Sequence, residues 1–108
     1  MSNGYRQLGY FYILTNKRNN VLYTGSTKDL KKRVKEHQKG HQKGFAQKYC
    51  VNRLIYYEIL EPIDKAKDRE RQVKGWKRER KITLIESKNK DWKDLYDDLL
   101  RDPSLRSG

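Results

Sequence analysis

The sequence predicts an α+β fold, in which a small three-stranded antiparallel sheet is flanked by helices in the order ββαβαα. Residues 10–15 and 21–24 are rich in aromatic and β-branched side chains, and a polar turn separates them, which is typical of a hairpin. A helical pattern follows, then a third strand-like segment at residues 54–60, then further helical patterns. This order places helices against one antiparallel sheet.

The predicted hairpin brings two tyrosines onto one face of the sheet. Turns centred at Lys17-Arg18 or at Asn19-Asn20 give two possible registers, and in the first of them Tyr12 and Tyr23 lie directly opposite each other. Packing explains such a pair as well as a site does, because the chain has eight tyrosines. Gly25, expected just after the second strand, would let a substrate backbone approach closely or would simply form a turn.

The first helix is predicted to begin after Ser26 or Thr27, either of which can cap it, and to stop at Gly40. Arg33 and His37 are one turn apart at the edge of its apolar stripe. An Arg there can grip a phosphate, and a His can shuttle a proton or donate to a phosphate oxygen. Alternatively, the stems of both side chains merely cover the edge of the core.

The second half of the chain is predicted to be mostly helical. Residues 40–52 read as a basic loop that ends near Tyr49, and Pro62 closes the third strand. One helix runs from there to Lys74, a second begins near Trp76, and a last one covers residues 92–100 with an apolar stripe that should pack on the core.

Glu70 is the most conspicuous residue of the second helix. It is an acid on the side of Ala66 and Val73, within the most basic segment of the chain. A carboxylate that faces inward near a phosphate-binding surface suits Mg²⁺, which takes one or two protein carboxylates and completes its shell with water and phosphate. Ion pairing with a neighbouring Arg or Lys is the other interpretation. The candidates for that pairing are Arg69, Arg71 and Lys74.

The positive charge of the chain is localised, which indicates a polyanionic partner. Of the formal net charge of +12, residues 28–48 contribute +6 (eight Lys or Arg against two acids), and residues 65–81 contribute +6 (nine against three). Two such surfaces favour nucleic acid over a membrane, since no strongly amphipathic helix combines this charge with bulky apolar residues. Solvated helix faces are the alternative reading of the same charges.

Length and composition narrow the class of protein further. We expect a single domain over residues 1–102, a flexible tail over residues 103–108, and a monomer. No segment approaches the roughly 20 apolar residues of a membrane-spanning helix, and the first residues lack a secretory pattern, so a cytoplasmic location is expected. The single cysteine, Cys50, is expected to be an inert, partly buried thiol. A zinc pair of His37 and His41 lacks further ligands.

Taken together, these residues resemble the GIY-YIG endonucleases, especially the small stand-alone bacterial members. Tyr10-Phe11-Tyr12 stands where the first motif lies, Tyr23-Thr24-Gly25 where the second lies, and Arg33 follows Tyr23 at the family's spacing of ten. The likeness extends over roughly residues 9–100. It also includes Leu14-Thr15-Asn16, Asp29-Leu30, His37, Tyr49 and the run from Glu70 to Trp76.

The resemblance implies a metal-dependent endonuclease that cuts a phosphodiester bond in DNA, or in RNA as a second choice. A single Mg²⁺ or Mn²⁺ would be held by Glu70, while Tyr12 and Tyr23 position or activate the attacking water. Arg33 would hold the scissile phosphate, and His37 would complete the pocket. The residues expected to contact the nucleic acid are Gly25, Lys28, Lys32, Tyr49 and Lys74.

Two features depart from the family pattern. The triplets read YFY and YTG, which removes the glycine of the first motif and keeps both tyrosines, and Ser26 stands where the excision-repair member has a lysine. A non-catalytic DNA- or RNA-binding module with the same fold and basic face is therefore the alternative function. Glu70 discriminates between the two, because a pure binder has no need for a carboxylate against phosphates.

Overall fold

The computed structural model describes residues 7–40, 44 and 48–101. The predicted fold class is confirmed, as a three-stranded antiparallel sheet with flanking helices. The predicted tail, His41 and six residues of the predicted basic loop (41–43 and 45–47) lie outside the described residues. No helix in the described part of the chain is long and apolar enough to cross a membrane. The elements are β1 (Gly9–Thr15), β2 (Leu22–Thr27), α1 (Leu30–Gln38), β3 (Arg53–Leu60), α2 (Ile63–Lys74), α3 (Arg78–Glu86) and α4 (Tyr96–Arg101).

Strand β1 is the centre of the sheet. The strand order is β2-β1-β3, and both pairings are antiparallel. All seven residues of β1 are buried, because a neighbouring strand covers each edge and side chains from the helices cover each face. Alternate residues of β1 therefore serve two separate cores.

The register of the hairpin differs from both predicted registers. Tyr12 pairs with Gly25, and Tyr23 pairs with Leu14, so the two tyrosines share a face but are diagonal neighbours rather than directly opposite. Strand β2 also continues through Thr27, which places Gly25 inside the strand and not after it. The predicted turn centres were wrong because the turn is held by a side chain.

That side chain is Asn16, at the start of the turn. Its Oδ1 accepts hydrogen bonds from the backbone N–H of Asn20 at 3.1 Å and of Val21 at 3.4 Å. Asn19 takes up the left-handed conformation, with φ of 57°, which Asn tolerates better than most residues. The resulting turn is wider than a two-residue turn, and it shifts the pairing of the strands.

Helix α1 has a different N-cap from the predicted one. Ser26 and Thr27 are still part of β2, where they pair with β1. The cap is Asp29, and its side chain accepts from the backbone N–H of Lys32 at 3.2 Å. The Thr27 hydroxyl oxygen in turn accepts from the Asp29 N–H at 3.1 Å. Strand pairing therefore took precedence over the capping preference of Ser and Thr.

Two hydrophobic clusters lie on the two faces of the sheet. The first, on the side of α1 and α4, is made of Tyr10, Tyr12, Leu14, Leu30, Val34, Val51, Leu54 and Leu99. The second, on the side of α2 and α3, is made of Phe11, Ile13, Ile55, Tyr56, Val73 and Ile85. The odd and even residues of β1 thus separate the helices into two layers.

The C-terminal segment differs from the predicted helix over residues 92–100. Helix α4 begins only at Tyr96, and Trp92 lies before it with φ of 56°. The Trp92 indole packs on the second cluster, whereas Leu95 and Tyr96 pack on the first. One continuous helix cannot serve both faces of the sheet. The chain therefore crosses the edge of β3, where Leu95 N–H donates to the Leu54 carbonyl at 2.7 Å.

Cys50 is exposed rather than partly buried as predicted. Its backbone adopts a left-handed conformation, with φ of 52°. The next residue, Val51, is only 1% exposed and belongs to the first cluster. The valine, and not the cysteine, thus fills the core at the entrance to β3.

The contact between β1 and α2 generates a prediction for Gly9. A Cβ at this position would lie 2.7 Å from Ile63 Cα and 2.9 Å from Ala66 Cβ. We expect Gly9→Ala to lower the free energy of unfolding by about 1–3 kcal/mol, because the backbone of α2 must move away. Urea denaturation measures the loss. At Gly75, the added Cβ would meet only the Gln72 carbonyl oxygen at 3.7 Å, so an equal loss in Gly75→Ala would contradict a steric origin.

Candidate active site

The predicted site residues gather around the β2 edge of the sheet. The register places Tyr12, Tyr23 and Gly25 on the face of α1, whereas Ser26 pairs with Phe11 and so belongs to the face of α2. Arg33 and His37 come from α1, and Glu70 comes from α2. A single sheet edge therefore brings together side chains from both layers.

Three aromatic rings form the part of the site on the α1 side. The ring centroids of Tyr12 and Tyr23 are 6.4 Å apart, those of Tyr12 and His37 are 6.4 Å apart, and those of Tyr23 and His37 are 5.3 Å apart. These distances are within the range of favourable aromatic pairs. The cluster packs the rings against one another, so that each restricts the orientation of the other two.

Gly25 makes room for the hydroxyl of Tyr12. A Cβ at Gly25 would lie 2.5 Å from the Tyr12 hydroxyl oxygen and 2.6 Å from its Cζ, far inside van der Waals contact. The space beside Gly25 is thus filled by a side chain of the protein itself. The contact of Gly25 with nucleic acid stays a prediction.

Tyr12 is a fully buried phenol beside the Arg33 side chain. Its side chain is 0% exposed, and its hydroxyl has no hydrogen-bond partner among the described residues. Burial, followed by the nearby Tyr23, raises the pKa of Tyr12 well above its usual value, and the positive charge of Arg33 opposes this only in part. The charge of Glu70 raises this pKa further. Near neutral pH the hydroxyl is therefore protonated and available as a donor.

His37 is a neutral imidazole at neutral pH. Burial lowers its pKa to about 4, and the charge of Arg33 acts in the same direction, against Glu36. The side chain is buried, and its Nε2 has no hydrogen-bond partner in the described part of the chain. Arg33 itself is partly exposed, and its Nε lies 3.4 Å from Glu36 Oε1. The two residues thus place a cation close to a neutral ring.

Both oxygens of the Glu70 carboxylate are engaged. The Ser26 hydroxyl donates to Oε1 at 2.6 Å, and the Lys74 ammonium lies 3.0 Å from Oε2. The side chain of Glu70 is 24% exposed, so the carboxylate is only half-buried at the rim of the sheet. Lys74, which was predicted to contact the nucleic acid, is the ion-pair partner of the acid in this structure.

Comparison with known proteins identifies the family. The model of the GIY-YIG catalytic domain matches residues 8–83, which is more than two thirds of the chain. This chain belongs to the GIY-YIG family. A UPF0213 protein of Clostridium perfringens is 37% identical over 82 residues, which cover 76% of this chain and 87% of that protein. The solution structure of a UPF0213 protein of Bacillus halodurans matches with a TM-score of 0.52 and 28% identity, over 81% of this chain and 92% of that one.

The family match confirms the predicted resemblance to a small stand-alone GIY-YIG domain. The GIY-YIG domain is that of a nuclease superfamily, whose members generally use divalent metals and act on nucleic acid. The matched range contains all of the candidate catalytic residues. These are Tyr12, Tyr23, Arg33, His37 and Glu70.

The donor set of this GIY-YIG domain fits a magnesium-type ion better than zinc. Among the described residues, no group of three or more His, Cys, Asp or Glu side chains could hold a metal, as a structural zinc site would require. One half-buried carboxylate at an open edge suits an ion that keeps most of its shell as water and phosphate. Glu70 is the residue that would hold it.

The remaining predicted contacts lie on the surface of α1 and beyond it. Lys28 and Lys32 are exposed near the start of the helix. Tyr49 is 39% exposed, and the Lys48 ammonium lies 5.4 Å from the centre of its ring. The contact of these three residues with nucleic acid stays a prediction.

The sequence analysis missed a second polar network, which lies on the α2 side. Arg69 donates to both oxygens of Glu58 at 3.0 Å, and Tyr56 also donates to that carboxylate. Burial raises the pKa of Glu58, but the bonds from Arg69 and Tyr56 outweigh it and leave the pKa lowered. Arg69 is thus not available to Glu70, although the sequence allowed that pair. Alternation along β3 could have placed Tyr56 and Glu58 on one face.

The environment of His37 generates a prediction for its titration. The ring should remain neutral down to a pH of about 4, against an ordinary pKa of 6.5. Because the folded state then binds fewer protons than the unfolded state, stability should fall as pH drops from 6.5 towards 4 and should be insensitive to His37 above 6.5.

The ring signals in an NMR titration measure this pKa directly. The chain has two histidines, so His41→Gln leaves one signal to assign. In His37→Gln, the loss of stability between pH 6.5 and 4 should be smaller. If the His37 ring titrates near 6.5, water reaches the ring in the folded protein, and the predicted lowering of its pKa by burial is wrong.

Proposed function

We propose that this protein is a divalent-metal-dependent endonuclease that hydrolyses phosphodiester bonds in nucleic acid, with DNA as the first candidate substrate. The observation that carries the proposal is the convergence at the β2 edge of Glu70 with the cluster of Tyr12, Tyr23, Arg33 and His37. A carboxylate and a cation at the edge of the sheet, beside the buried polar atoms of Tyr12 and His37, provide the groups that phosphodiester hydrolysis requires.

Each side chain has a role that follows from its environment. Arg33 offers its planar guanidinium to the scissile phosphate, which matches the fork of donors. The protonated hydroxyl of Tyr12 donates a hydrogen bond and orients a water or a phosphate oxygen. The raised pKa makes Tyr12 a poor general base. Glu70 would hold a divalent ion, and the chemistry that such an ion would supply there is Lewis-acid stabilisation of the charge that develops on the phosphate.

His37 is the better acceptor of a proton from water. It is neutral, and Nε2 is the ring nitrogen without a partner in the described residues. The neutral ring can accept at one nitrogen while it donates at the other. A base with a pKa of about 4 is weak, so it needs a water whose own pKa is lowered by its surroundings.

Unpaired cations near the site support a nucleic acid as the substrate. In the described residues the exposed Lys77, Arg78 and Arg80 have no carboxylate within salt-bridge distance. Burial lowers the pKa of Lys81, and the charges of Arg78 and Lys74 lower it further. Such crowding of like charges is costly in the free protein, and a polyanion relieves it.

The Arg80 side chain is also ordered for contact with a phosphate. Its guanidinium carbon lies 3.9 Å from the centre of the Trp76 ring, which is close stacking. Stacking fixes the plane of the guanidinium and leaves its N–H groups free along the edge. This arrangement supports a basic surface over α2 and α3 in addition to the one over α1.

A non-catalytic nucleic-acid-binding module is the second candidate. The observation that favours it is the pairing of both Glu70 oxygens, with Ser26 and Lys74. If these contacts are purely structural, the carboxylate is not available to an ion. The two functions therefore differ in whether Glu70 is needed for turnover or for stability.

We expect Glu70→Gln to lower the rate of cleavage at least about a hundredfold, because the charge that holds the ion is lost. Folding should survive, since an exposed ion pair with Lys74 contributes at most about 1 kcal/mol, and affinity for nucleic acid should persist. Melting temperature, affinity and cleavage of single-stranded, duplex and branched DNA and of RNA, in Mg²⁺, Mn²⁺ or EDTA, provide the readouts.

Glu79→Gln is the matched control, since it removes an exposed carboxylate from the same basic segment. It should keep full activity. Folded Glu70→Gln protein that cleaves at the wild-type rate would exclude the proposed role of this acid. A reduced melting temperature with unchanged activity per folded molecule would instead favour the binding module.

We expect Arg33→Ala to lower kcat by roughly tenfold or more, with a smaller effect on affinity, because its guanidinium serves the reacting phosphate and many lysines share the rest of the binding. Lys32→Ala is the control, because the exposed neighbouring side chain is equally cationic. Single-turnover kinetics at saturating protein separate the two effects. Equal small losses in both variants would make Arg33 an ordinary surface cation.

A further inference from the structure

The two partners of the Glu70 carboxylate differ in kind. Ser26 lies on β2, 44 residues away in sequence, and donates to Oε1 through a short, neutral, half-buried side chain. Lys74 lies one turn further along α2 and pairs with Oε2 through a long side chain that is 60% exposed. One contact is a fixed tertiary hydrogen bond, and the other is a surface ion pair.

The two contacts therefore differ in how easily they are broken. The serine hydroxyl has few conformations to lose and holds the carboxylate at a defined angle to the sheet. An exposed Lys–Glu pair is weak, because water and salt screen it and the lysine stem loses conformational freedom in forming it. A ligand that competes for the carboxylate displaces the lysine first.

We propose that Lys74 is a displaceable counter-cation that occupies the free oxygen of Glu70 until a divalent ion takes its place, whereas Ser26 stays bound and positions the carboxylate. This inference rests on the proposed function, since it assumes that Glu70 holds the ion. Ser26 and Lys74 are then positioning residues, with opposite effects on metal affinity.

Displacement leaves the Lys74 ammonium without its carboxylate partner and near other cations. The charges of Lys74 and Arg78 both act on Lys81, so these three cations lie in one region at the junction of α2 and α3. Once the ion has neutralised Glu70, Lys74 adds a full positive charge to that region. Metal binding and phosphate binding should therefore strengthen each other, as any coupled pair of ligands must.

Metal affinity without nucleic acid tests the proposal on the full chain. We expect Lys74→Met to bind Mn²⁺ roughly two- to fivefold more tightly than the wild type, as the loss of a weak competing ion pair allows. Ser26→Ala should bind Mn²⁺ more weakly, and Glu70→Gln should lose the site. Isothermal titration calorimetry and the electron paramagnetic resonance signal of free Mn²⁺ give the affinities, and melting temperatures exclude unfolding.

Lys67→Met controls for the loss of one positive charge. Lys67 is an exposed residue of the same helix and has no ion pair among the described residues. If Lys74→Met binds no more tightly than Lys67→Met, or if Ser26→Ala binds as well as the wild type, the inference is overturned while the proposed function stands. If Glu70→Gln binds Mn²⁺ with unchanged affinity, the proposed metal ligand is wrong as well.

Discussion

The burial of β1 on both edges and both faces is the constraint on which the rest of the structure depends. A strand with no exposed residue needs partners in every direction, and the chain supplies them with β2, β3 and the helices on each side. The alternation of its side chains then decides which helix belongs to which layer. Because β1 is covered on all sides, a substrate can reach the candidate site only at a rim of the sheet.

The β2 edge is that rim, and it explains why the candidate site draws on both layers. The α1 layer contributes Arg33 and the packed rings of Tyr12, Tyr23 and His37. The α2 layer contributes the carboxylate of Glu70. Burial on the α1 side disfavours the charged forms of Tyr12 and His37, because it raises the pKa of Tyr12 and lowers the pKa of His37. On the α2 side, the half-buried Glu70 carboxylate is paired with Ser26 and Lys74.

Local sequence patterns predicted much of this arrangement. The two-residue period of the strands placed Tyr12 and Tyr23 on one face, and the helical period placed Glu70 beside Ala66 and Val73. Both predictions depend on regular spacing within a single element. They needed no knowledge of how distant segments meet.

The features that could not be predicted depend on contacts between distant residues or on side chains that replace backbone partners. The Asn16 side chain set the hairpin register, and the pairing of Ser26 with β1 moved the helix cap to Asp29. The bond from Ser26 to Glu70 joins residues 44 positions apart. Trp92 lies outside the predicted helix because its side chain packs on the second cluster, whereas Leu95 and Tyr96 pack on the first.

The contact between Gly25 and Tyr12 makes the two family motifs one packing unit. The hydroxyl of Tyr12, in the first triplet, occupies the volume that a side chain at residue 25, in the second triplet, would need. The two positions are therefore expected to show strong energetic coupling, and to change together or not at all among related sequences. For protein engineering, residue 25 can be enlarged only after residue 12 has been made shorter.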